Sequence, residues 1–193
     1  MSQKSIPYHS INTSWTLFLD RDGVINRRII DGYITNYRDF IFLDNVLVSI
    51  KILSRIFGKV IVITNQQGVG KKIMTKTDMD TIHQNMINDI IKAGGRIDKI
   101  YTCTDLAESN SKYRKPKTGM IDLVLNDFKN INLKKSIMVG DRISDMIFGE
   151  NAGTYTVFIS DAVEVENNYR QFIDDIKPSL FDFAKNIFCN LAF

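Results

Sequence analysis

Four short segments concentrate carboxylates, a hydroxyl and an ammonium at intervals that could form one reactive site. Asp20-Arg21-Asp22-Gly23 follows an apolar run, and Thr64-Asn65-Gln66-Gln67-Gly68-Val69-Gly70 follows a second. Arg114-Lys115-Pro116 lies in a basic loop, and Gly140-Asp141-Arg142-Ile143-Ser144-Asp145 follows a further apolar run. If Asp20 and Asp22 stay extended, their side chains point to the same side. Two carboxylates facing one spot need a cation or a shared proton to relieve repulsion. Taken alone, this pair fits a metal site and a polar strand end equally. The Thr64 hydroxyl and the backbone N–H groups behind it can hold phosphate oxygens. The segment is not a nucleotide-binding P-loop: Asn65 stands where the first glycine belongs, and Lys72 replaces the Ser or Thr. Lys115, held beside a proline, offers a fixed positive charge, and Arg114 offers a two-pronged donor. Asp141 supplies a third oxygen for a hard cation, with Asp145 as a supporting partner. Each segment has a plainer reading: a glycine turn, a solvated basic loop, a helix cap. Their conjunction, in this order and each at a strand end or just beyond, favours a single coherent site.

The elements between these segments have to bring them together. Trp15–Leu19, Lys59–Ile63, Ile97–Cys103, Ser136–Val139 and Thr154–Ile159 are short apolar runs that stop at polar residues. Between them, apolar residues recur three or four apart: Val46, Leu47, Ile50, Leu53 and Phe57; Met79, Ile82, Met86 and Ile90; Ile121, Val124, Leu125 and Phe128. Strands too apolar for a one-sided sheet, alternating with helices, predict an α/β fold. We expect a Rossmann-like three-layer sandwich around a mainly parallel sheet of at least five strands. In such sheets ligands bind at the carboxyl ends of the strands, where the polar residues have accumulated. Residues 1–14 read as a polar tail and 15–193 as one domain closed by a terminal helix after Pro178-Ser179.

Composition excludes several classes. A net charge of +3 with scattered basic residues gives no support for nucleic-acid or membrane binding, and no run approaches the ~20 apolar residues needed to span a bilayer. Two cysteines and two histidines are too few for a disulfide framework or a Cys/His cluster, so a cytoplasmic location is expected.

In this order the segments resemble the four motifs of the haloacid dehalogenase superfamily. DRDGVIN (20–26), DGYI (31–34), TNQQGVG (64–70), RKPKTGM (114–120) and VGDRISDM (139–146) resemble the histidinol-phosphate and heptose-bisphosphate phosphatase group. The likeness runs from about Leu17 to Phe158. It implies Asp20 as nucleophile, Asp22 as general acid and base, Thr64 and Lys115 on the phosphoryl oxygens, and Mg²⁺ held by Asp20, the Asp22 carbonyl and Asp141. It also implies substrate contacts at Asp31, Tyr33, Asn65, Gln66, Arg114 and Arg142. The short intervals from Asp20 to Thr64 and from Cys103 to Lys115 leave no room for a large cap domain. The group's structural zinc needs a Cys-x-His and a Cys-x-Cys, whereas this chain offers Cys103 alone there, so no zinc is expected and Cys103 reads as a buried strand residue. The implied substrate is a small phosphorylated metabolite, first a heptose bisphosphate losing its 7-phosphate and next histidinol phosphate. A polynucleotide 3′-phosphatase shares some of the wording and comes third, and a noncatalytic phospholigand-binding module comes last. A monomer without membrane or nucleic-acid partners completes the expectation.

Overall fold

The computed structural model describes residues 4–161, 166 and 168–191. Six strands, β1 (Thr16–Leu19), β2 (Lys59–Asn65), β3 (Lys99–Cys103), β4 (Ser136–Gly140), β5 (Tyr155–Ile159) and β6 (Asp175–Lys177), form one sheet in the order β3-β2-β1-β4-β5-β6. Every pairing is parallel. The helices are α1 (Val46–Ile56), the single turn α2 (Gln67–Gly70), α3 (Lys76–Lys92), α4 (Gly119–Asp127), α5 (Ile143–Ala152) and α6 (Leu180–Leu191).

Strand periodicity sorts the core into two layers. Leu17, Leu19, Val60, Val62, Ile137 and Val139 face one side, covered by Ile50 and Leu53 of α1, Ile82 and Met86 of α3, and Phe183 and Ile187 of α6. Phe18, Ile61, Ile63 and Met138 face the other, covered by Met120, Ile121 and Val124 of α4 and Phe148 of α5. Burial on both faces explains why these strands are continuously apolar. Local signals set the helix ends. Thr75 and Asp78 form a capping box at α3, with the Asp78 amide donating to Thr75 Oγ1 at 3.1 Å and the Thr75 amide to the Asp78 carboxylate at 2.9 Å. The Ser179 hydroxyl accepts from the Asp182 amide at 3.1 Å and caps α6 as the sequence predicts.

Two features add to the expectation of at least five strands and a polar first segment. The sheet gains β6, an edge strand of three half-buried residues, Asp175-Ile176-Lys177, too short and too polar for periodicity to reveal. The first residues also do not hang free. From Lys4 onward they pack on the body: Ile6 and Ile11 are buried in the larger core, Tyr8 donates its hydroxyl to Asp175, and its ring meets Phe183 edge-on with centroids 6.4 Å apart. Among the described residues no helix is long and apolar enough to cross a membrane.

Strand order reverses on either side of β1, whose neighbours are β2 and β4. The crevice beyond the carboxyl ends of β1 and β4 is therefore the position where this topology opens a binding site.

Candidate active site

β1 ends at Leu19, so Asp20 is the first residue past the sheet, anchored by its amide donating to the Val139 carbonyl of β4 at 2.9 Å. The next strand over delivers Asp141 directly after Gly140. Asp145 stands in the first turn of α5, where its carboxylate accepts from the Arg142 amide at 3.0 Å. It is thus Asp145, and not Asp141, that caps this helix. Oxygens of Asp20, Asp141 and Asp145 come within 4.8 Å of one another. Lys115 joins them, its ammonium 2.9 Å from Asp20, 2.7 Å from Asp145 and donating to the Ile63 carbonyl at 2.7 Å.

Electrostatics follow from this crowding. Burial, more than any neighbour, pushes the Asp20 carboxyl up to about 7. Lys115 pulls it back only in part, because Asp145 claims the same ammonium and the Asp145, Asp141 and Asp22 carboxylates repel a further charge. Burial raises Asp141 to about 6, with Asp145 adding to the rise and Arg28 opposing it. Burial works against the Lys115 charge, yet Asp145 and Asp20 hold that ammonium above its usual range.

These residues suit a hard divalent cation. Asp141 Oδ1 is buried with no hydrogen-bond partner among the described residues, an acceptor left for something other than protein. Gly23, at φ +90°, lies so close that a Cβ there would sit 2.0 Å from Asp141 Oδ2, so any side chain at this position would collide with that carboxylate. Three clustered carboxylates, of which burial makes Asp20 and Asp141 reluctant to ionise, are a site that a divalent charge relieves.

Asp22 occupies a different part of the same cavity. Its carboxylate accepts from Arg21 Nη2 at 2.9 and 3.0 Å, from Asn26 Nδ2 at 2.9 Å and from Gln66 Nε2 at 2.7 Å. Burial pushes its carboxyl up, but the Arg21 guanidinium and these hydrogen bonds outweigh it, leaving the group below the usual carboxylate range. Gln66 also donates to the Thr64 hydroxyl at 2.9 Å. Asn65 braces the neighbouring loop: its carbonyl accepts from the Lys115 amide at 3.1 Å and its amide donates to the Lys115 carbonyl at 3.2 Å.

A cavity of about 320 Å³ connects these groups. Of the residues expected on the substrate, Tyr33, Asn65, Gln66, Arg114 and Arg142 line it. Asp31 does not: it is exposed at a loop tip with φ +53° and is absent from the cavity wall. The amides of Asn65 and Gln66 face protein partners, so they hold Lys115, Asp22 and Thr64 in position. Among the wall residues that escaped the sequence reading are Arg28, Gln67 and Ser144. Arg28 pairs with Asp141 Oδ2 at 2.8 Å, Gln67 donates to the Tyr33 hydroxyl at 3.0 Å, and Ser144 lies at the start of α5. Gln67 and Ser144 were inside quoted motifs, but nothing in their type marked them; Arg28 carried no motif at all. Cys103 is the buried last residue of β3, and its thiol lies 3.7 Å from an Asp105 carboxylate oxygen.

Residues 19–191 match the family model described as polynucleotide kinase 3 phosphatase. The chain is 35% identical over 137 residues, 71% of its length and 72% of the relative's, to D-glycero-alpha-D-manno-heptose-1,7-bisphosphate 7-phosphatase of Mycobacterium tuberculosis. It is 36% identical over 143 residues, 74% and 81% of the two chains, to the D-glycero-beta-D-manno-heptose-1,7-bisphosphate 7-phosphatase of Helicobacter pylori. The fold superposes with a TM-score of 0.79 on D,D-heptose 1,7-bisphosphate phosphatase from B. bronchiseptica, solved with magnesium and phosphate, at 22% identity and covering 91% of this chain and 98% of that one.

Proposed function

The chain belongs to the haloacid dehalogenase-type phosphatases, in the family described as polynucleotide kinase 3 phosphatase, and from that premise we propose that it removes the 7-phosphate of D-glycero-D-manno-heptose 1,7-bisphosphate through an aspartyl-phosphate. The observation that carries the proposal is the opposed pair in one cavity: Asp20 against Lys115 at 2.9 Å, and Asp22 on a separate set of donors. One carboxylate is free to attack while the other handles protons.

An Asp20 oxygen attacks phosphorus in line, the P–O bond to the sugar breaks, and the departing alkoxide takes a proton from the Asp22 carboxyl. Water then gives a proton to the Asp22 carboxylate and attacks phosphorus, and the P–O bond to Asp20 breaks to release phosphate. Asp22 as found, held ionised by Arg21, Asn26 and Gln66, is in the state that accepts the water's proton. An arriving phosphate dianion adds negative charge beside it and raises its proton affinity, which prepares the first half of the cycle. Thr64 and Lys115 face the equatorial oxygens, where charge accumulates in the transition state. Magnesium is the cation we assign to Asp20, Asp141 and the Asp22 carbonyl, with Asp145 beside them; bound there, it neutralises the repulsion between nucleophile and phosphate. Arg114 and Arg142 on the cavity wall suit the substrate's second phosphate.

Relatives named for the alpha and the beta anomer match almost equally well, so the test includes both. Catalytic efficiency is compared on the two heptose 1,7-bisphosphates, histidinol phosphate and a 3′-phosphorylated oligonucleotide. A preference for one heptose anomer by about tenfold or more, around 1.4 kcal/mol of transition-state binding, is expected. Faster hydrolysis of histidinol phosphate or of the oligonucleotide overturns the substrate assignment. Asp20→Asn is expected to abolish phosphate release on every substrate, and turnover at the parent rate would remove Asp20 as nucleophile.

A further inference from the structure

Asp22 lies three residues beyond the end of β1, so the sheet does not fix its side chain. What fixes it is Arg21. That side chain is 1% exposed, has its ring-facing side over Phe40 at 5.9 Å, and presents Nη2 to both Asp22 oxygens. A buried guanidinium with one edge on a carboxylate still has donors on its other edge to satisfy. Arg21 Nη1 meets His83 Nε2 at 3.0 Å, and His83 is itself buried, in the second turn of α3. Arginine only donates hydrogen bonds, so Nε2 must accept. His83 is therefore the neutral imidazole with its proton on Nδ1.

We propose that His83 is a positioning residue for the reaction: from α3 it orients the Arg21 fork, which in turn sets the place and direction of the Asp22 carboxyl that serves the leaving group. Burial and the Arg21 charge both depress the imidazole, to about 4, which keeps the accepting tautomer throughout the neutral range. Without an acceptor on Nη1, the guanidinium would have an unsatisfied buried donor and would rotate to find one, taking Asp22 with it. Gln66 and Asn26 donate to Asp22 from its other sides, and among the described residues neither side chain hydrogen-bonds the Arg21 guanidinium, so the direction of that fork is left to His83. The neutral core histidine that merely fills space is the competing description, and leaving-group dependence separates the two.

The proposal rests on Asp22 as the proton donor in the function proposed above. A sugar alkoxide needs a proton on departure, whereas p-nitrophenolate leaves without one. The efficiency kcat/KM reports the first half-reaction, up to the aspartyl-phosphate. His83→Leu is expected to lower kcat/KM on heptose 1,7-bisphosphate by about tenfold or more, the scale of lost support behind a reacting group, while p-nitrophenyl phosphate keeps most of its efficiency. His83→Gln, which retains an acceptor, is expected to restore the first activity. Equal loss on both substrates, or loss on neither, overturns the proposal. Asp22→Asn serves as the control: if it lacks this leaving-group pattern, the acid–base reading fails, and if it shows the pattern while His83→Leu does not, only the positioning role fails. The measurement that needs no variant is the ¹⁵N spectrum of the wild-type imidazole at pH 6. Protonation on Nδ1 alone supports the contact, and a proton on Nε2 eliminates it.

Discussion

At the scale of single residues, the site is governed by competition for one ammonium. Asp20 and Asp145 share Lys115, and Asp141 turns its second oxygen to Arg28 at 2.8 Å. Burial raises Asp20 to about 7 and Asp141 to about 6, well above their value in an unfolded chain. Between that unfolded value and these raised ones the folded chain binds more protons than the unfolded chain, so stability falls as pH rises through the interval. A divalent cation reverses the balance, because it binds the ionised carboxylates. The increase in Tm produced by saturating Mg²⁺ is accordingly expected to be larger at pH 7.5 than at pH 5.5, measured by scanning calorimetry. An equal increase at both would mean that the cation does not meet these groups. Arg28 belongs to the same competition. Its pairing with Asp141 was invisible in the sequence because the adjacent arginines Arg27 and Arg28 in a loop are ordinarily solvated.

At the scale of elements, the site depends on braces between segments remote in sequence. Asn65 ends β2, and its two hydrogen bonds hold both backbone polar groups of Lys115 in the loop before α4. The TNQQ wording pointed to this residue, but as a substrate contact; only the register of β2 against the following loop shows that its amide serves Lys115. Asn65→Ala is expected to lower kcat by about tenfold through displacement of the ammonium, with the chain still folded by circular dichroism. Unchanged kcat would mean that Pro116 and the Lys115 side-chain contacts suffice. The strands and their polar ends were legible because burial on both faces makes them continuous apolar runs. β6 was not, since three half-buried residues at an edge carry no period. Asp31 stands exposed and off the cavity wall, at a turn whose φ of +53° spacing does not encode.

At the scale of the whole molecule, the fold closes through its first residues. Ile11 is 1% exposed and joins the core shared by α1, α3 and α6. Ile11→Ala is expected to cost about 2–5 kcal/mol, the range for removing buried methylenes, read as a lower urea midpoint with kcat of the folded fraction retained because the site lies at the other end of the strands. A midpoint within error of the parent would show this contact to be dispensable. The composition of residues 4–14 hid their packing: the isolated isoleucines Ile6 and Ile11 form no pattern, and the core they join is built from residues far along the chain. The strand order has a further consequence for synthesis. β1 emerges first and stands centrally in the sheet, paired on one side by β2 but on the other by β4, which is translated only after Lys135. Until then the growing chain presents an unpaired apolar strand edge, the kind of surface that joins other chains. Asp20 sits just past the end of that edge, so the proposed nucleophile acquires its backbone anchor on Val139 in the same step that covers the strand.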